Sequence, residues 1–299
     1  MMENFKAGYV GIVGRPNVGK STLINNFLRF KLSAISPKPQ TTRHKIIGIL
    51  TGENYQIIFL DTPGILDRAR YELHKLMIKR AFEAIEEADL VLHITEPVLP
   101  PSEIDLKIIE EIKKRGKKSI LAINKIDTIR RDEVLPVIDY YSKLHDYLEI
   151  VPISALKLVN TDELLNLIIK YMPEGEPFYP PDIVTDKPER FFVSELIREK
   201  VFYLYGEEIP YSTAVLVEDF IENSPHHGGK DYIRAVIYVE RDSQKAIILG
   251  KGGRAIKKLG TIARKEIEAL LGRPVYLELW VKVKPRWRKD MRILSELGY

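Results

Sequence analysis

The chain of 299 residues contains no cysteine. That excludes disulfides, cysteine-ligated zinc, iron–sulfur clusters and thiol catalysis. Long hydrophobic runs are also missing: uninterrupted apolar stretches such as residues 120–123 and 246–249 are far too short to span a bilayer. The opening residues, Met1-Met2-Glu3-Asn4-Phe5-Lys6, lack the apolar core of a secretory signal, so a soluble, cytoplasmic protein is expected. Charge of one sign is scarce overall, at +4 net, but it is unevenly spread. Residues 1–180 hold 25 Lys/Arg and 24 Asp/Glu, residues 181–240 hold 6 and 12, and residues 241–299 hold 15 and 6. The basic end reads either as a footprint for a polyanion or as a solvated face balanced by its acidic neighbour.

What is present divides in two. Residues 9–13, 46–50, 56–60, 90–95, 119–124 and 148–153 read as strands. Helical patterns over 20–30, 72–87, 102–115, 134–144 and 161–171 separate most of them. This order predicts an α/β domain, a mostly parallel sheet covered by helices on both faces, with 46–50 and 56–60 as an antiparallel pair. Four prolines within residues 173–181 break the pattern and read as a linker. Beyond it the order is helix (188–204), strand (213–220), strand (232–239), short helix (243–249), long helix (254–271) and strand (275–283), a smaller α+β unit. The division expected is a first domain over 1–173, a linker over 174–187 and a second domain with a basic extension over 188–299.

Gly14-Arg15-Pro16-Asn17-Val18-Gly19-Lys20-Ser21-Thr22 follows a strand, opens a helix and fits G-x-x-x-x-G-K-[ST], the phosphate-cradling loop. Its backbone amides and the helix N-terminus suit phosphate oxygens. Lys20 can reach the β- and γ-phosphates, and the Ser21 hydroxyl can ligate Mg²⁺. Asp61-Thr62-Pro63-Gly64 closes the 56–60 strand, where a carboxylate serves the metal directly or through water and the Gly64 amide meets the γ-phosphate. Asn124-Lys125-Ile126-Asp127 closes another. The Asp127 carboxylate can accept from N1–H and the 2-amino group of guanine, whereas adenine would leave it unpaired. Asn124 would brace the loop, the Lys125 stem would lie along the base, and Ser154-Ala155-Leu156 would offer the Ala155 amide to guanine O6. These residues predict a Mg²⁺-dependent GTPase.

Between the first helix and the second strand, residues 36–43, with Pro37 and Pro39, form a polar segment ending in Gln40-Thr41-Thr42-Arg43. A threonine here can sense Mg²⁺ and the γ-phosphate, Thr42 being the first candidate and Thr41 the second. Ile65 follows Gly64, where Ras-like enzymes carry the glutamine that orients water. An isoleucine cannot relay a proton, so slow intrinsic turnover is expected, and the Asn17 amide oxygen is a candidate to hold K⁺ beside the phosphates.

In the second domain Gly250-Lys251-Gly252-Gly253 joins two helices. A G-x-x-G loop in an α-β-β-α-α-β unit lets backbone approach a nucleic acid, with Lys251, Arg254, Lys257 and Lys258 supplying charge and Ile247-Ile248-Leu249 the floor under unstacked bases. Arg286-Trp287-Arg288 after the last strand could stack an exposed indole on a base, or the Trp could cover the domain edge. The adjacent His226 and His227 read as a plain loop.

Taken together, these segments resemble the Era family of bacterial GTPases over essentially the whole length, a P-loop GTPase domain followed by a type II KH domain. The resemblance implies a monomer acting in maturation of the 16S rRNA and assembly of the small (30S) ribosomal subunit. In that role the KH unit grips single-stranded RNA near the 3′ end of 16S rRNA, and some peripheral contact with the inner membrane is implied. The alternative is a GTPase switch whose second unit docks protein or membrane.

Overall fold

The computed structural model describes residues 5–36 and 38–299, so Met1–Asn4 and Pro37 of the readings above lie outside the described residues. The chain divides chiefly between Asp186 and Lys187 into two compact units.

The first unit runs β1 (Lys6–Val13), α1 (Lys20–Leu28), β2 (Ile46–Thr51), β3 (Tyr55–Asp61), α2 (Glu72–Glu87), β4 (Leu90–Thr95), α3 (Glu103–Lys114), β5 (Ser119–Ile123), α4 (Val134–Leu144), β6 (Glu149–Pro152) and α5 (Thr161–Tyr171). The sheet order is β2-β3-β1-β4-β5-β6. β2 and β3 pair antiparallel, from Ile46 opposite Asp61 to Thr51 opposite Gln56, as the sequence predicts; the remaining pairings are parallel. β4 and β5 are buried along their whole length, which is why Leu-Val-Leu-His-Ile-Thr and Ser-Ile-Leu-Ala-Ile show little alternation. α3 starts on a capping box, Ser102 accepting from the Asp105 amide while Asp105 accepts from Ser102. Its Ile108 and Ile112 then pack on Ile85 and Val91, and Ile109 on Leu121 and Tyr141. Because β3 and β4 flank β1 on opposite sides, the sheet's connections diverge at the carboxyl end of β1, and a crevice opens there.

The proline-rich stretch is strapped to this unit. Gln56, fully buried ahead of the apolar run 57–60 of β3, donates to the Tyr179 carbonyl (2.8 Å) and accepts from the Phe178 and Tyr179 amides (2.7 and 2.9 Å). Further along, the Ile49 amide donates to the Val184 carbonyl (2.7 Å).

The second unit runs α6 (Glu189–Leu204), α7 (Ile209–Ser212), β7 (Ala214–Ser224), β8 (Lys230–Val239), α8 (Asp242–Leu249), α9 (Arg254–Leu271), β9 (Val275–Val283) and α10 (Met291–Glu296). β8 lies between β7 (antiparallel) and β9 (parallel). Val193, Ile197 and Val201 of α6 and Leu259, Ala263 and Ile267 of α9 bury against Ile233, Ala235 and Ile237 of β8. The expected α-β-β-α-α-β order is present, with α7 and α10 added.

Trp287 corrects one expectation. Its side chain is 0% exposed, its indole N–H donates to the Ser212 carbonyl (2.9 Å) and its ring stacks on Tyr299 (5.7 Å). It closes the edge of the core, and no base can reach it. Ile248 is corrected likewise: it belongs to the core, and of residues 247–249 only Ile247 is half exposed. Among the described residues no helix is long and apolar enough to cross a membrane.

Candidate nucleotide site and nucleic-acid interface

The four segments singled out in the sequence all lie at carboxyl ends of strands, Gly14–Ser21 after β1, Asp61–Gly64 at the end of β3, Asn124–Asp127 after β5 and Ser154–Leu156 after β6. A cavity beside the first two of them is lined by Asn17, Gly19, Lys20 and Ser21, by Thr22 just after, by Thr41 and Thr42, and by Gly64. The Lys20 ammonium is folded back onto the Gly14 and Arg15 carbonyls (3.0 and 2.8 Å), inside the curl of the loop. Gly64 crosses so close to this loop that a Cβ there would stand 2.6 Å from the Pro16 backbone. The Ile65 amide donates to the Gly14 carbonyl (3.2 Å), and its side chain turns into the core beside Val13 and Ile85.

Three oxygens gather below the cavity. Ser21 Oγ lies 3.0 Å from Thr42 Oγ1 and 3.4 Å from Asp61 Oδ2, while the Thr41 hydroxyl turns away to the Lys38 carbonyl (2.8 Å). Asp61 Oδ1 is buried with no hydrogen-bond partner. Burial pushes the Asp61 carboxyl up to about 6, although the Ser33 hydroxyl and Lys20 pull the other way. Burial likewise pushes the Lys20 ammonium down to about 8 against the attraction of Asp61 and Asp105. Each charge is therefore poorly satisfied by protein alone, a cation facing where phosphate would lie and a carboxylate facing where a divalent ion would lie. A carboxylate with one orphaned oxygen, its other oxygen 3.4 Å from the Ser21 hydroxyl that meets Thr42, is a donor set suited to a hard cation that completes its shell with phosphate and water.

The base-reading end is built by hydrogen bonds between loops. Asn124 Nδ2 donates to the Val18 carbonyl (2.7 Å) and Asn124 Oδ1 accepts from the Ala155 amide (2.8 Å), bracing two loops at once. The Ala155 amide, expected to face guanine O6, is thus engaged by Asn124 in this structure, because the side chain that braces the loop reaches it first. Ser154 Oγ donates to Asp127 Oδ1 (2.5 Å) and fixes the carboxylate's direction. α1 holds the same loop through Asn26, whose amide donates to the Ala155 carbonyl (2.6 Å).

Several site residues escaped the sequence reading. Ser33, 1% exposed, donates to Asp61 Oδ2 (2.5 Å) and is itself clamped by Asn25, which accepts from its amide (3.0 Å) and donates to its carbonyl (2.9 Å). His74 accepts from the Arg70 amide at Nδ1 (3.2 Å), which leaves Nε2–H to donate to Gln40 Oε1 (3.2 Å), so one imidazole joins the Gln40 segment to the loop before α2. Asp105 pairs with Arg15 Nε (3.0 Å). Burial works against its charge, but His93, Ser102 and Arg15 outweigh that and hold its carboxyl below the usual range. None of these has a spacing signal. The only cue was a polar residue in an apolar or loop context.

In the second unit the Gly250, Gly252 and Gly253 backbones all take positive φ (68°, 60° and 75°), a left-turning loop that side chains would strain. Lys251, Arg254, Lys257 and Lys258 are exposed around it. A groove beside them, between α9 and β9, has Ile256, Leu277 and Leu279 on its walls, with Lys257 and Arg264 among its lining cations. The apolar floor is therefore supplied by α9 and β9. Arg286 is exposed, whereas Arg288 is committed to an ion pair with Glu240. Trp280, on the outer row of β9 and 52% exposed, is an aromatic the sequence reading passed over.

Comparison with known proteins follows this division. Residues 9–125 match the family model described as 50S ribosome-binding GTPase, and residues 208–288 match the KH domain model. The chain is 46% identical to GTPase Era of Clostridium kluyveri over 98% of its own length and 99% of the relative's. It is 46% identical to GTPase Era of Syntrophus aciditrophicus over 99% and 95%. Among solved structures, an Era variant from Aquifex aeolicus bound to GDP·AlF4⁻ superposes with a TM-score of 0.94 at 45% identity, covering 99% of both chains. A complex of Era with MgGDPNP and nucleotides 1506–1542 of 16S ribosomal RNA superposes at 0.95 and 46% identity, again with 99% of both covered. With a phosphate loop, a guanine-reading rim and a type II KH unit in one chain, and likeness of this extent at both levels, the chain belongs to the Era family and is a GTPase.

Proposed function

We propose that this GTPase binds single-stranded 16S ribosomal RNA near its 3′ end through the second unit and acts in assembly of the 30S subunit. The observation that carries the RNA half is the exposed Gly250–Gly253 loop beside an apolar groove rimmed with cations, a surface suited to a nucleic-acid backbone and its unstacked bases. The Era complex with nucleotides 1506–1542 of 16S ribosomal RNA supports the same reading. Binding of a 3′-end oligonucleotide against a scrambled one tests it. The authentic sequence is expected to win, and Gly252→Asp, which sets a carboxylate on the loop, is expected to abolish the preference. Equal binding of both oligonucleotides, unaffected by the substitution, would instead mark the second unit as a protein- or membrane-docking module. In the RNA-binding reading the protein works as a monomer in the cytoplasm, and peripheral contact with the inner membrane rests on the family resemblance alone.

In the first unit Ser21 and Thr42 would hold Mg²⁺ by their hydroxyls, with Asp61 behind them, directly or through water. Held there, the ion would supply neutralisation of the charge on the phosphate oxygens. Lys20 neutralises the β- and γ-oxygens from the opposite side, the Gly64 amide donates to the γ-phosphate, and Asp127, Lys125, Asn124 and residues 154–156 select guanine. Since Ile65 is buried in the core and offers the attacking water nothing, turnover without a partner is slow in this reading. Asn17, at the rim in a left-handed backbone (φ 65°), is the residue to hold K⁺ beside the phosphates. K⁺ is then expected to stimulate hydrolysis over Na⁺, and Asn17→Ala to remove the difference; equal rates in both salts would dispose of the idea.

A further inference from the structure

Glu96 stands one residue beyond β4, between the phosphate loop and the guanine-reading loop. One of its carboxylate oxygens pairs with the Lys125 ammonium, and the other lies 3.5 Å from an Arg15 guanidinium nitrogen. Arg15 is anchored from behind, its Nε 3.0 Å from Asp105 Oδ2, and Asp105 is fully buried with the Ser102 hydroxyl on the same oxygen (2.7 Å). Lys125 itself sits in a left-handed backbone (φ 66°) that starts its side chain away from the strand direction. The carboxylate thus hangs between a cation of one loop and a cation of the other, and the Arg15 side is tied to α3.

We propose that Glu96 is a positioning residue for the base: by tethering the Lys125 ammonium it holds the lysine stem where the purine lies. This inference rests on the reading of Lys125 as the residue along the base. A lysine side chain surrenders more rotamer freedom than most when it is ordered. If its far end is already tied, that loss precedes binding, and the nucleotide meets a prepared surface. The pair is partly solvent-exposed, so its value lies in preorganisation more than in Coulomb energy. Removing it should weaken nucleotide binding and leave the chemical step alone, because Lys125 is the one residue assigned to the nucleotide that Glu96 pairs with.

The test is a double-mutant cycle on the full chain, with GDP affinity in Mg²⁺ by calorimetry and steady-state GTP hydrolysis as the two readouts. Glu96→Gln keeps size and one acceptor but removes the charge, with Glu96→Ala as a second variant; Lys125→Met keeps the stem and removes the ammonium. Glu96→Gln is expected to weaken GDP binding about fivefold, in line with a partly exposed pair. It should raise KM with kcat changed by less than about twofold and leave the melting temperature in place. Combined with Lys125→Met it should cost nothing beyond the lysine change alone. Parent-like GDP affinity in Glu96→Gln and Glu96→Ala, or losses that multiply in the double variant, would overturn the inference while leaving Lys125 as the base contact. Parent-like affinity in Lys125→Met, which retains the stem without the ammonium, would show that the tether contributes nothing and overturn this inference; parent-like affinity in Lys125→Ala would overturn the assignment of the stem to the base as well. A fall in kcat and melting temperature together would show a merely structural role and reject positioning.

Discussion

A single hydroxyl aims Asp127. With Ser154 Oγ on one carboxylate oxygen, the carboxylate is directed as an acceptor for two N–H groups, and guanine presents two. Asp127→Asn replaces an acceptor pair with one acceptor and one donor. Two hydrogen bonds to a charged group are worth about 3–6 kcal/mol together, so GDP affinity should fall by roughly 10²- to 10⁴-fold. Xanthine carries an oxygen in place of the 2-amino group and can accept from the new amide, so XDP should bind the variant better than GDP does; calorimetry with both nucleotides checks the inversion. Gly64 makes a different demand. A methyl group there meets the Pro16 backbone at 2.6 Å, so Gly64→Ala must push the two loops apart at the γ-phosphate end. GDP affinity is expected to stay within a few-fold, while kcat for GTP falls at least about tenfold, the order lost when one preorganised donor is misplaced. Equal damage to both would mean that the whole phosphate loop had moved.

The segments that hold these residues could be picked out because the proposed phosphate and guanine recognition imposes fixed spacings on glycine, lysine, asparagine and aspartate. Ser33, His74, Glu96 and Asp105 were not. Each reaches its partner across tens of residues, as Ser33 does to Asp61 and Asp105 to Arg15, and no local pattern encodes such a meeting.

Elements show the same contrast. α2, α4, α5, α9 and β9 run over the residues that periodicity predicts, since each is long enough to repeat its buried face. α7 and α10, of four and six residues, are too short to display a period. Trp287 was ambiguous for a related reason: with arginines on both sides, local sequence left exposure and burial equally open, and its burial depends on distant partners, the Ser212 carbonyl on its indole N–H and Tyr299 on its ring. Trp287→Ala should therefore destabilise the second unit by about 3–5 kcal/mol through the cavity it leaves. Trp287→Phe, which keeps much of the bulk but strands the Ser212 carbonyl, should cost about 1–3 kcal/mol. Urea denaturation measures both. At temperatures where the variants remain folded, RNA affinity should be near that of the parent; a large loss of RNA binding with unchanged stability would restore the indole to the interface. The proline-rich stretch adds a lesson of its own, because the buried Gln56 that straps it down stood in the sequence as an unexplained amide inside a strand.

At the scale of the whole molecule, the acidic and basic runs of the second unit divide their work. Arg273 pairs with Glu189 and Asp231, Lys282 with Glu218, Lys200 with Glu266 and Arg288 with Glu240. Arg273, Lys282 and Arg288 of the basic segment are thereby neutralised by its acidic neighbour, while Lys200 and Glu266 pair in the opposite sense. Among the described residues Lys251, Arg254, Lys257 and Lys258 form no such pair. Sequence charge counts could not separate the two groups, because pairing depends on which strands and helices become neighbours. The separation has a measurable consequence. If these four cations each meet one phosphate of a single strand, log affinity should fall against log salt with a slope near −3, a loss of roughly 50-fold between 50 and 200 mM salt. Lys257→Gln or Lys258→Gln should each reduce the slope by about 0.7 while preserving preference for the authentic sequence. Arg273→Gln should leave the slope unchanged, since its charge is already spent on Glu189 and Asp231. A slope that does not respond to the helix lysines, or responds equally to Arg273, would move the RNA off the loop and groove and onto another face of this unit.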